Sequence, residues 1–421
     1  MPSKHKKVYH KSNKEKTFHK KQLDKWLQTI QKQLPNITKS QAYVLALWSF
    51  GMVIIRSSAI TSVSFFLACL FKAKQESLDT KQNSFRQRLR EFCYDSVDKK
   101  GDKRTQLDVD ACFGYLIKWI IKWWNSSQLA IALDATTLQL RFTILTISVV
   151  YRGCAIPVAW TITKGNEKGE WNTQWFSMLS AIKTSIPSHY LVIVMTDRGL
   201  YSPKLYKHIV KLRWHPLMRI NAKGYFKEGD RYFQPIKSFA KEPNTSWQGR
   251  GLAFKNNRLE CTLIAYWEQG EKEPWFILTD LTPEICDGCL YGMRWWIESG
   301  FKAIKSGFFQ WDRTKMEDPA RASRLWLAIS VSMIWIVSVG GEIDESIPAS
   351  TVPDITGNGY PVRIRIRTMS VCRLGWMTIL ASLIRHDELP FGRFLPELWS
   401  DVSKTLAIQR YLRKRKSKTY P

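Results

Sequence analysis

The chain has 421 residues, with 64 Lys and Arg against 36 Asp and Glu, so its formal net charge is +28. Hydrophobic residues at 44% and aromatic residues at 13% exclude a mainly disordered chain, because this much apolar surface offsets the entropy lost on folding. A net charge of this size indicates a polyanionic partner, with nucleic acid the first candidate and an anionic membrane surface the second.

Two basic tails carry half of this net charge. Residues 1–33 contain ten Lys against two acids, and residues 401–421 contain seven Lys and Arg against one acid. Counterion release from phosphates would give such tails affinity for DNA without sequence specificity. An ordinary solvated basic tail is the alternative.

The cysteines and apolar runs indicate the compartment. Eight scattered Cys are typical of a reducing compartment. Cys286 and Cys289 form the one close pair, and a zinc site is disfavoured because no second Cys or His pair lies nearby in the sequence. The apolar run 325–339 is shorter than the ~20 residues that span a bilayer. The Lys-rich N-terminus lacks the apolar core of a secretory signal. We therefore expect a cytoplasmic protein with no membrane partner.

Residues 1–125 are predicted to form a basic helical region that binds DNA. Within it, residues 79–94 place Phe85, Leu89 and Phe92 at helical spacing, with arginines on the polar side. A DNA-contacting module and an ordinary solvated helix face both fit this pattern.

Residues 126–221 show the element order β-β-β-α-β-α-β. The predicted strands are 128–134, 141–151, 155–163, 190–196 and 216–221, and the predicted helices are 169–186 and 202–212. The first strand ends at Asp134 and the fourth is followed by Asp197. We expect both acids to lie in a crevice at the carboxyl end of a sheet.

The remaining sequence completes the predicted organisation. Residues 222–280 resemble a small β-strand insertion, residues 281–340 return to helix, and residues 341–421 form a basic helical C-terminal region. The predicted fold class is α/β, with a mixed sheet flanked by helices, the β insertion and an α-helical N-terminal domain.

A row of polar residues follows the insertion. Tyr291, Arg294, Glu298 and Lys305 are spaced by 3, 4 and 7 residues. On an α-helix these offsets fall within roughly 60° of one another, with Lys302 close beside them. An exposed, salt-bridged helix face is the plain interpretation of this row alone.

The two strand-end acids favour a different interpretation. Asp134 and Asp197 on neighbouring strands would repel each other unless a cation lies between them. With Glu298 they supply three carboxylates and no His, a ligand set that selects Mg²⁺ or Mn²⁺ over zinc. Two such ions about 4 Å apart support phosphodiester chemistry, and the basic residues beside Glu298 would hold phosphates.

These motifs resemble those of the DDE transposases of bacterial insertion sequences, specifically the insertion-sequence 4 group with its Y-x2-R-x3-E-x6-K signature. The signature lies in YGMRWWIESGFKAIKSG, and the two aspartates lie in ALDATT and TDRGLYS. The resemblance covers roughly residues 128–340.

The resemblance implies a ribonuclease-H-like catalytic domain whose three acids bind two divalent ions. It also implies cleavage at transposon terminal inverted repeats, strand transfer into target DNA, a hairpin intermediate and a synaptic homodimer. Tyr291, Arg294, Lys302 and Lys305 would contact DNA, and Trp275 would stack on a flipped base. A core position for Trp275 fits the sequence equally well.

Two other functions stay open at this point. One is a ribonuclease-H-like nuclease that cuts DNA without joining it. The other is a non-catalytic DNA-binding protein, or an inhibitor, descended from a transposase.

Overall fold

The computed structural model describes residues 4–100, 105–165, 167, 171–268, 271–352, 362–364, 367–406 and 408, with side chains from residue 17 onward. The predicted role of the C-terminal basic tail therefore falls mostly outside the described residues, whereas the N-terminal basic segment is helical from residue 4 to residue 33. The division of the chain into five regions stays a prediction.

Five α-helices precede the first strand in the part of the chain that the structure describes. They are α1 (Lys4–Gln33), α2 (Lys39–Ile55), α3 (Ile60–Phe71), α4 (Leu78–Cys93) and α5 (Asp110–Ile121). The amphipathic helix expected at 79–94 is α4, which begins after Ser77 because the Ser77 hydroxyl accepts a hydrogen bond from the Thr80 N–H. Its predicted apolar residues Phe85, Leu89 and Phe92 are buried.

The next elements follow the predicted order β-β-β-α-β-α-β. They are β1 (Gln128–Leu138), β2 (Phe142–Tyr151), β3 (Cys154–Lys164), α6 (Asn172–Lys183), β4 (Leu191–Thr196), α7 (Pro203–Lys211) and β5 (His215–Arg219). Strands β1, β4 and β5 run parallel, whereas β2 pairs antiparallel with both β1 and β3 through hairpin turns. The carboxyl ends of the three parallel strands therefore meet at one edge of the sheet.

The predicted β insertion continues the same sheet. Its strands are β6 (Tyr225–Glu228), β7 (Gln234–Pro235), β8 (Thr245–Ala253), β9 (Leu259–Trp267) and β10 (Trp275–Thr279). Because β10 pairs antiparallel with β5, the ten strands lie in the order β3-β2-β1-β4-β5-β10-β9-β8-β6-β7. The sequence predicted a β-strand insertion here, but it did not predict the attachment of the insertion to β5.

Short helical segments and a long helix follow the insertion. They are a 3₁₀ segment (Gly288–Trp295), α8 (Trp296–Lys302), a π segment (Ala303–Gly307), a 3₁₀ turn (Trp311–Arg313), α9 (Pro319–Ser346), the hairpin β11 (Ser350–Val352) and β12 (Val362–Ile364), and α10 (Val371–Arg385). The architecture is a mixed α/β fold with a large sheet flanked by helices.

Helix α9 is the core helix of the molecule. It is long and apolar enough to cross a membrane, but 94% of its most apolar window is buried inside the protein. Ser330 on α9 donates a hydrogen bond of 2.6 Å to the Pro157 carbonyl of β3. Trp335 stacks on Trp26 of α1 with ring centroids 4.4 Å apart. Helix α9 thus joins the N-terminal helices to the sheet.

The structure corrects the predicted end of the first strand. Strand β1 continues beyond Asp134 to Leu138, because its hairpin pairing with β2 extends to Leu138 and Phe142. Its parallel pairing with β4 ends earlier, at Leu133 and Thr196. Asp134 therefore lies where the sheet loses β4 on one side, which still opens a crevice beside it.

The structure also corrects the predicted single helix that carries the polar row. Residues 288–307 change from 3₁₀ to α to π geometry. The α-helical part packs closely on β3, since a Cβ added at Gly300 would lie 2.5 Å from the Ala155 carbonyl oxygen. Helical spacing alone therefore does not fix which of these side chains share a face.

Candidate active site

Arg294 brings the three predicted carboxylates together. Its Nη2 lies 3.1 Å from Asp134 Oδ2 and 3.5 Å from Asp197 Oδ2. Its Nη1 lies 3.5 Å from Glu298 Oε1. Three acids that are far apart in the sequence therefore surround one guanidinium at the carboxyl edge of the parallel strands.

Backbone groups hold the two aspartates in place. Asp134 Oδ1 accepts a hydrogen bond of 2.9 Å from the Ala135 N–H, and Asp197 Oδ1 accepts one of 2.5 Å from the Gly199 N–H. Each aspartate thus keeps its other oxygen for Arg294. Glu298 lies on α8, which packs on the hairpin strands β2 and β3.

The three carboxylates carry more negative charge than the Arg294 guanidinium neutralises. Burial raises the pKa of Asp134 to about 6; Arg294 opposes this shift, whereas the nearby charge of Asp197 adds to it. Arg294 itself is only 12% exposed, and its Nε is buried without a hydrogen-bond partner in the described structure. One guanidinium does not compensate three carboxylates, so the site favours a further cation.

Tyr291 lies behind the carboxylates instead of facing solvent. Its hydroxyl donates a hydrogen bond of 2.9 Å to the Thr196 carbonyl, one residue before Asp197. Burial raises the pKa of Tyr291, which keeps the phenol protonated as the donor. The structure therefore connects Tyr291 to the backbone that positions Asp197.

The two predicted lysines have different surroundings. Lys305 is half-buried, and its Nζ lies 2.5 Å from Thr136 Oγ1 on β1. Burial lowers the pKa of Lys305, and the charge of Asp134 opposes that shift. Lys302 is exposed on α8. Lys305 thus belongs to the crevice, whereas Lys302 lies on the surface beside it.

Trp275 is not available for base stacking in this structure. It is 7% exposed, lies on β10 opposite Tyr266, and meets the ring of Tyr291 edge-on at 5.3 Å. This burial favours the core position that the sequence also allowed, and the stacking role of Trp275 stays a prediction. The exposed indole beside the site is that of Trp295, which directly follows Arg294.

Sequence reasoning missed a second charged group beside Asp197. Arg198 Nη1 lies 3.1 Å from both carboxylate oxygens of Glu273, and Arg219 Nη2 lies 2.6 Å from one of them. The sequence did offer a signal for the arginines, because Arg198 directly follows Asp197 and Arg219 ends a strand parallel to β4. Spacing gave no signal for Glu273.

The donor chemistry of the site fits a hard divalent cation. All three acidic side chains offer oxygen, which Mg²⁺ and Mn²⁺ prefer. Across the described residues, no three His, Cys, Asp or Glu side chains are arranged to hold an ion directly. The carboxylates instead contact Arg294, so direct coordination by all three requires that guanidinium to move aside.

A family model for the transposase DDE domain matches residues 125–335. The chain belongs to this family. The matched range contains Asp134, Asp197 and Glu298, and DDE transposases generally use divalent metal ions. The match concerns the DDE domain as a whole, so membership of the insertion-sequence 4 group stays a prediction.

Among solved structures, the chain is similar to a piggyBac transposase in a synaptic complex with hairpin DNA, determined by cryo-electron microscopy. The identity is 10% and the TM-score 0.35, over 62% of this chain and 53% of that one. The match thus spans about half the length of that transposase, and a likeness this weak assigns no shared function. No protein of curated function matches the chain.

Proposed function

We propose that the protein is a cut-and-paste DNA transposase that cleaves transposon ends and joins them to target DNA. The observation that carries this proposal is the convergence of Asp134, Asp197 and Glu298 on one cationic centre within a DDE domain. The +28 net charge supports a DNA partner, because a chain this basic attracts polyanions.

The catalytic domain is proposed to be ribonuclease-H-like. The strand order β3-β2-β1-β4-β5, in which only β2 runs antiparallel to the other four strands, supports this fold. The β insertion would then be an extension of the domain's sheet beyond β5. We further propose that the chain belongs to the insertion-sequence 4 group, on the strength of its Tyr291, Arg294, Glu298 and Lys305 spacing.

Asp134, Asp197 and Glu298 would hold two Mg²⁺ or Mn²⁺ ions. Bound ions of this kind activate an attacking water or hydroxyl and stabilise the leaving oxygen of a phosphodiester. Arg294 would leave the carboxylates on loading and would then be free to form paired hydrogen bonds with a DNA phosphate. Lys305, held beside Asp134 through Thr136, would add a second positive charge at that phosphate.

Tyr291 is proposed to position Asp197 by holding the Thr196 carbonyl, which makes its contribution indirect. Lys302 would contact DNA phosphates at the surface of the crevice. Trp275 would support the site by packing against Tyr291.

The proposed reaction has two kinds of step. Attack of water on a phosphodiester at the transposon end releases a 3′-hydroxyl and leaves a 5′-phosphate on the other product. That 3′-hydroxyl then attacks a second phosphodiester, forming one P–O bond as another breaks. Attack on the opposite strand gives a hairpin, and attack on target DNA gives the joined product. A homodimer would hold two ends together in the synaptic complex.

The test uses the full chain, Mg²⁺ or Mn²⁺, and DNA that carries the element's own terminal inverted repeats. The proposal predicts nicked, hairpin and target-joined products, which denaturing electrophoresis separates by length. Cleavage without joining would indicate a ribonuclease-H-like nuclease. DNA binding with no metal-dependent product would indicate a non-catalytic descendant. The cellular location expected for the transposase is the cytoplasm, at the nucleoid.

A further inference from the structure

Two arginines beside the catalytic carboxylates bind the side chain of Glu273 as arginines bind a phosphate group. Arg198 contacts both oxygens of Glu273, and Arg219 contacts one of them. Arginine pairs of this geometry bind carboxylate and phosphate oxygens alike, because both anions offer two acceptors in one plane to the guanidinium. Glu273 is therefore a chemical stand-in for a phosphate.

The position of this group places it next to the active site. Arg198 directly follows Asp197, and Arg219 ends β5, whose partner β4 leads to Asp197. Burial chiefly raises the pKa of Tyr291, but Arg219 lowers it and Asp197 raises it, so both charges lie close to the same phenol. The two arginines thus extend the positive surface of the site away from Arg294.

The contact of Glu273 with the two arginines contributes little to the stability of the folded protein. The side chain of Glu273 is about half exposed, and it lies between β9 and β10. Exposed ion pairs contribute little because water and salt screen them. A weakly held carboxylate on two arginines is readily replaced by a more highly charged anion.

We propose that Arg198 and Arg219 bind a DNA phosphate adjacent to the catalytic carboxylates, and that Glu273 occupies this phosphate site until DNA displaces it. The inference rests on the proposed transposase function for its ligand, and it assigns a contact that the three catalytic acids and the signature row do not provide. Glu273 lowers the affinity of the free protein for DNA of any sequence, because each phosphate must first displace the glutamate.

The same insertion offers a matched control. Arg250 and Glu260 form an exposed pair at 3.2 Å, and Arg250 also donates a hydrogen bond to the Asp280 carbonyl. Asp280 contacts His215, the first residue of β5. The amino-terminal end of β5 lies at the edge of the sheet opposite the active site. Glu260→Gln therefore changes the net charge as Glu273→Gln does, but far from the proposed phosphate site.

The experiment measures binding of the full chain to a fluorescent duplex of about 30 base pairs and arbitrary sequence, in EDTA at several salt concentrations. Glu273→Gln is expected to tighten binding about 3- to 10-fold, and Glu260→Gln by less than about 2-fold. Arg198→Gln and Arg219→Gln are each expected to weaken binding and to reduce the salt slope by about 0.9.

The decisive variant combines all three changes. If Glu273 acts by blocking the arginines, its removal gives no gain in the Arg198→Gln/Arg219→Gln background, whereas a general charge effect persists there. Equal gains from Glu273→Gln and Glu260→Gln, or a gain that persists in that background, overturns the inference. Binding without metal is measured separately from cleavage. If the variants show the expected binding pattern but the wild-type protein does not cleave DNA that carries the transposon ends, the result contradicts the proposed function and not the phosphate site.

Discussion

Two clusters in this molecule join arginines to several carboxylates, and they are built in opposite ways. In the first, Arg152 and Arg367 share Asp344 at 2.7 and 2.9 Å, and Arg367 also holds Glu397 at 2.6 Å. Arg152 and Asp344 are 1% and 2% exposed. In the second, a single guanidinium, that of Arg294, meets three carboxylates at 3.1 to 3.5 Å.

The two clusters shift the pKa of their central aspartates in opposite directions. Burial acts to raise the pKa of Asp344, but the hydrogen bonds from Arg367 and Arg152 outweigh it and the net shift is downward. Burial raises the pKa of Asp134 to about 6, and Arg294 does not reverse it. The first cluster is complete within the fold, where it ties the β2–β3 turn to the end of α9. The second is left in need of positive charge, which is what a catalytic metal site requires.

The contrast predicts that Glu298, in the Arg294 cluster, affects activity far more than stability. Glu298→Gln should lower the rate of metal-dependent DNA cleavage at least about 1,000-fold, or about 4 kcal/mol of activation free energy, because a metal ligand is lost. The free energy of unfolding should change by no more than about 0.5 kcal/mol, since one of three mutually repelling charges is removed at an exposed position. Cleavage kinetics and urea denaturation measure the two quantities. Glu317→Gln, an exposed change of the same charge, is the control and should alter neither.

Substitution in the buried cluster around Asp344 should lower the stability of the protein. Asp344→Asn leaves the Arg152 guanidinium short of its buried counter-charge, which should cost about 3–5 kcal/mol of unfolding free energy. Urea denaturation measures the loss, and it should be smaller below the pKa of the unfolded carboxyl. The control is Asp387→Asn in the exposed pair with Arg385, which should cost no more than about 1 kcal/mol. Equal losses in the two variants would remove the distinction between the clusters.

The pH dependence of stability should also separate the clusters. Because the pKa of Asp134 is higher in the folded state than in the unfolded state, the folded protein keeps its proton to higher pH. Stability therefore falls as the pH rises from the unfolded pKa to about 6, and it levels off above that pH. Without metal, the stability advantage of Asp134→Asn over wild type should therefore grow between pH 5 and pH 7.5 by about 1 kcal/mol. A constant difference in unfolding free energy across this range would show that burial does not raise the pKa of Asp134.

The smallest effect concerns competition between Arg294 and metal. Arg294→Met removes the cation that contacts all three carboxylates, so Mg²⁺ should bind them more readily than in wild type. At equal ionic strength, Mg²⁺ should then raise the stability of the variant more than that of wild type, by about 1 kcal/mol or less. Thermal unfolding with and without Mg²⁺ measures this difference. The same gain in Arg313→Met, an exposed change of equal charge, would count against the competition.

Much of the sheet was predictable because its strands carry strong apolar runs and its helices carry helical spacing. The element order from β1 to β5 follows from those patterns alone. The end of β1 was not predictable in this way, because its continuation past Asp134 depends on pairing with β2. The sequence of β1 alone contains no information about that pairing. The attachment of β10 to β5 is likewise a long-range pairing.

The candidate site shows the same limit. The sequence identified Asp134, Asp197 and Glu298 by residue type and placement, and the structure brings them together. It did not reveal that Arg294 bridges all three, because helical spacing relates Arg294 to Glu298 only. Burial of Trp275 depends on which face of β10 meets Tyr291, and an apolar strand covered on both sides has no periodicity to indicate that face.

The most direct test of the central claim is the fate of transposon-end DNA with wild type and with Asp134→Asn. Both proteins are incubated with a duplex carrying the element's own terminal repeat, a supercoiled target plasmid, and Mg²⁺ or Mn²⁺. Wild type is expected to produce cleaved ends and plasmid joined covalently to the duplex, whereas Asp134→Asn is expected to bind the duplex but to form neither product. Cleavage and joining by Asp134→Asn at the wild-type rate would contradict the assignment of Asp134, Asp197 and Glu298 as the catalytic site.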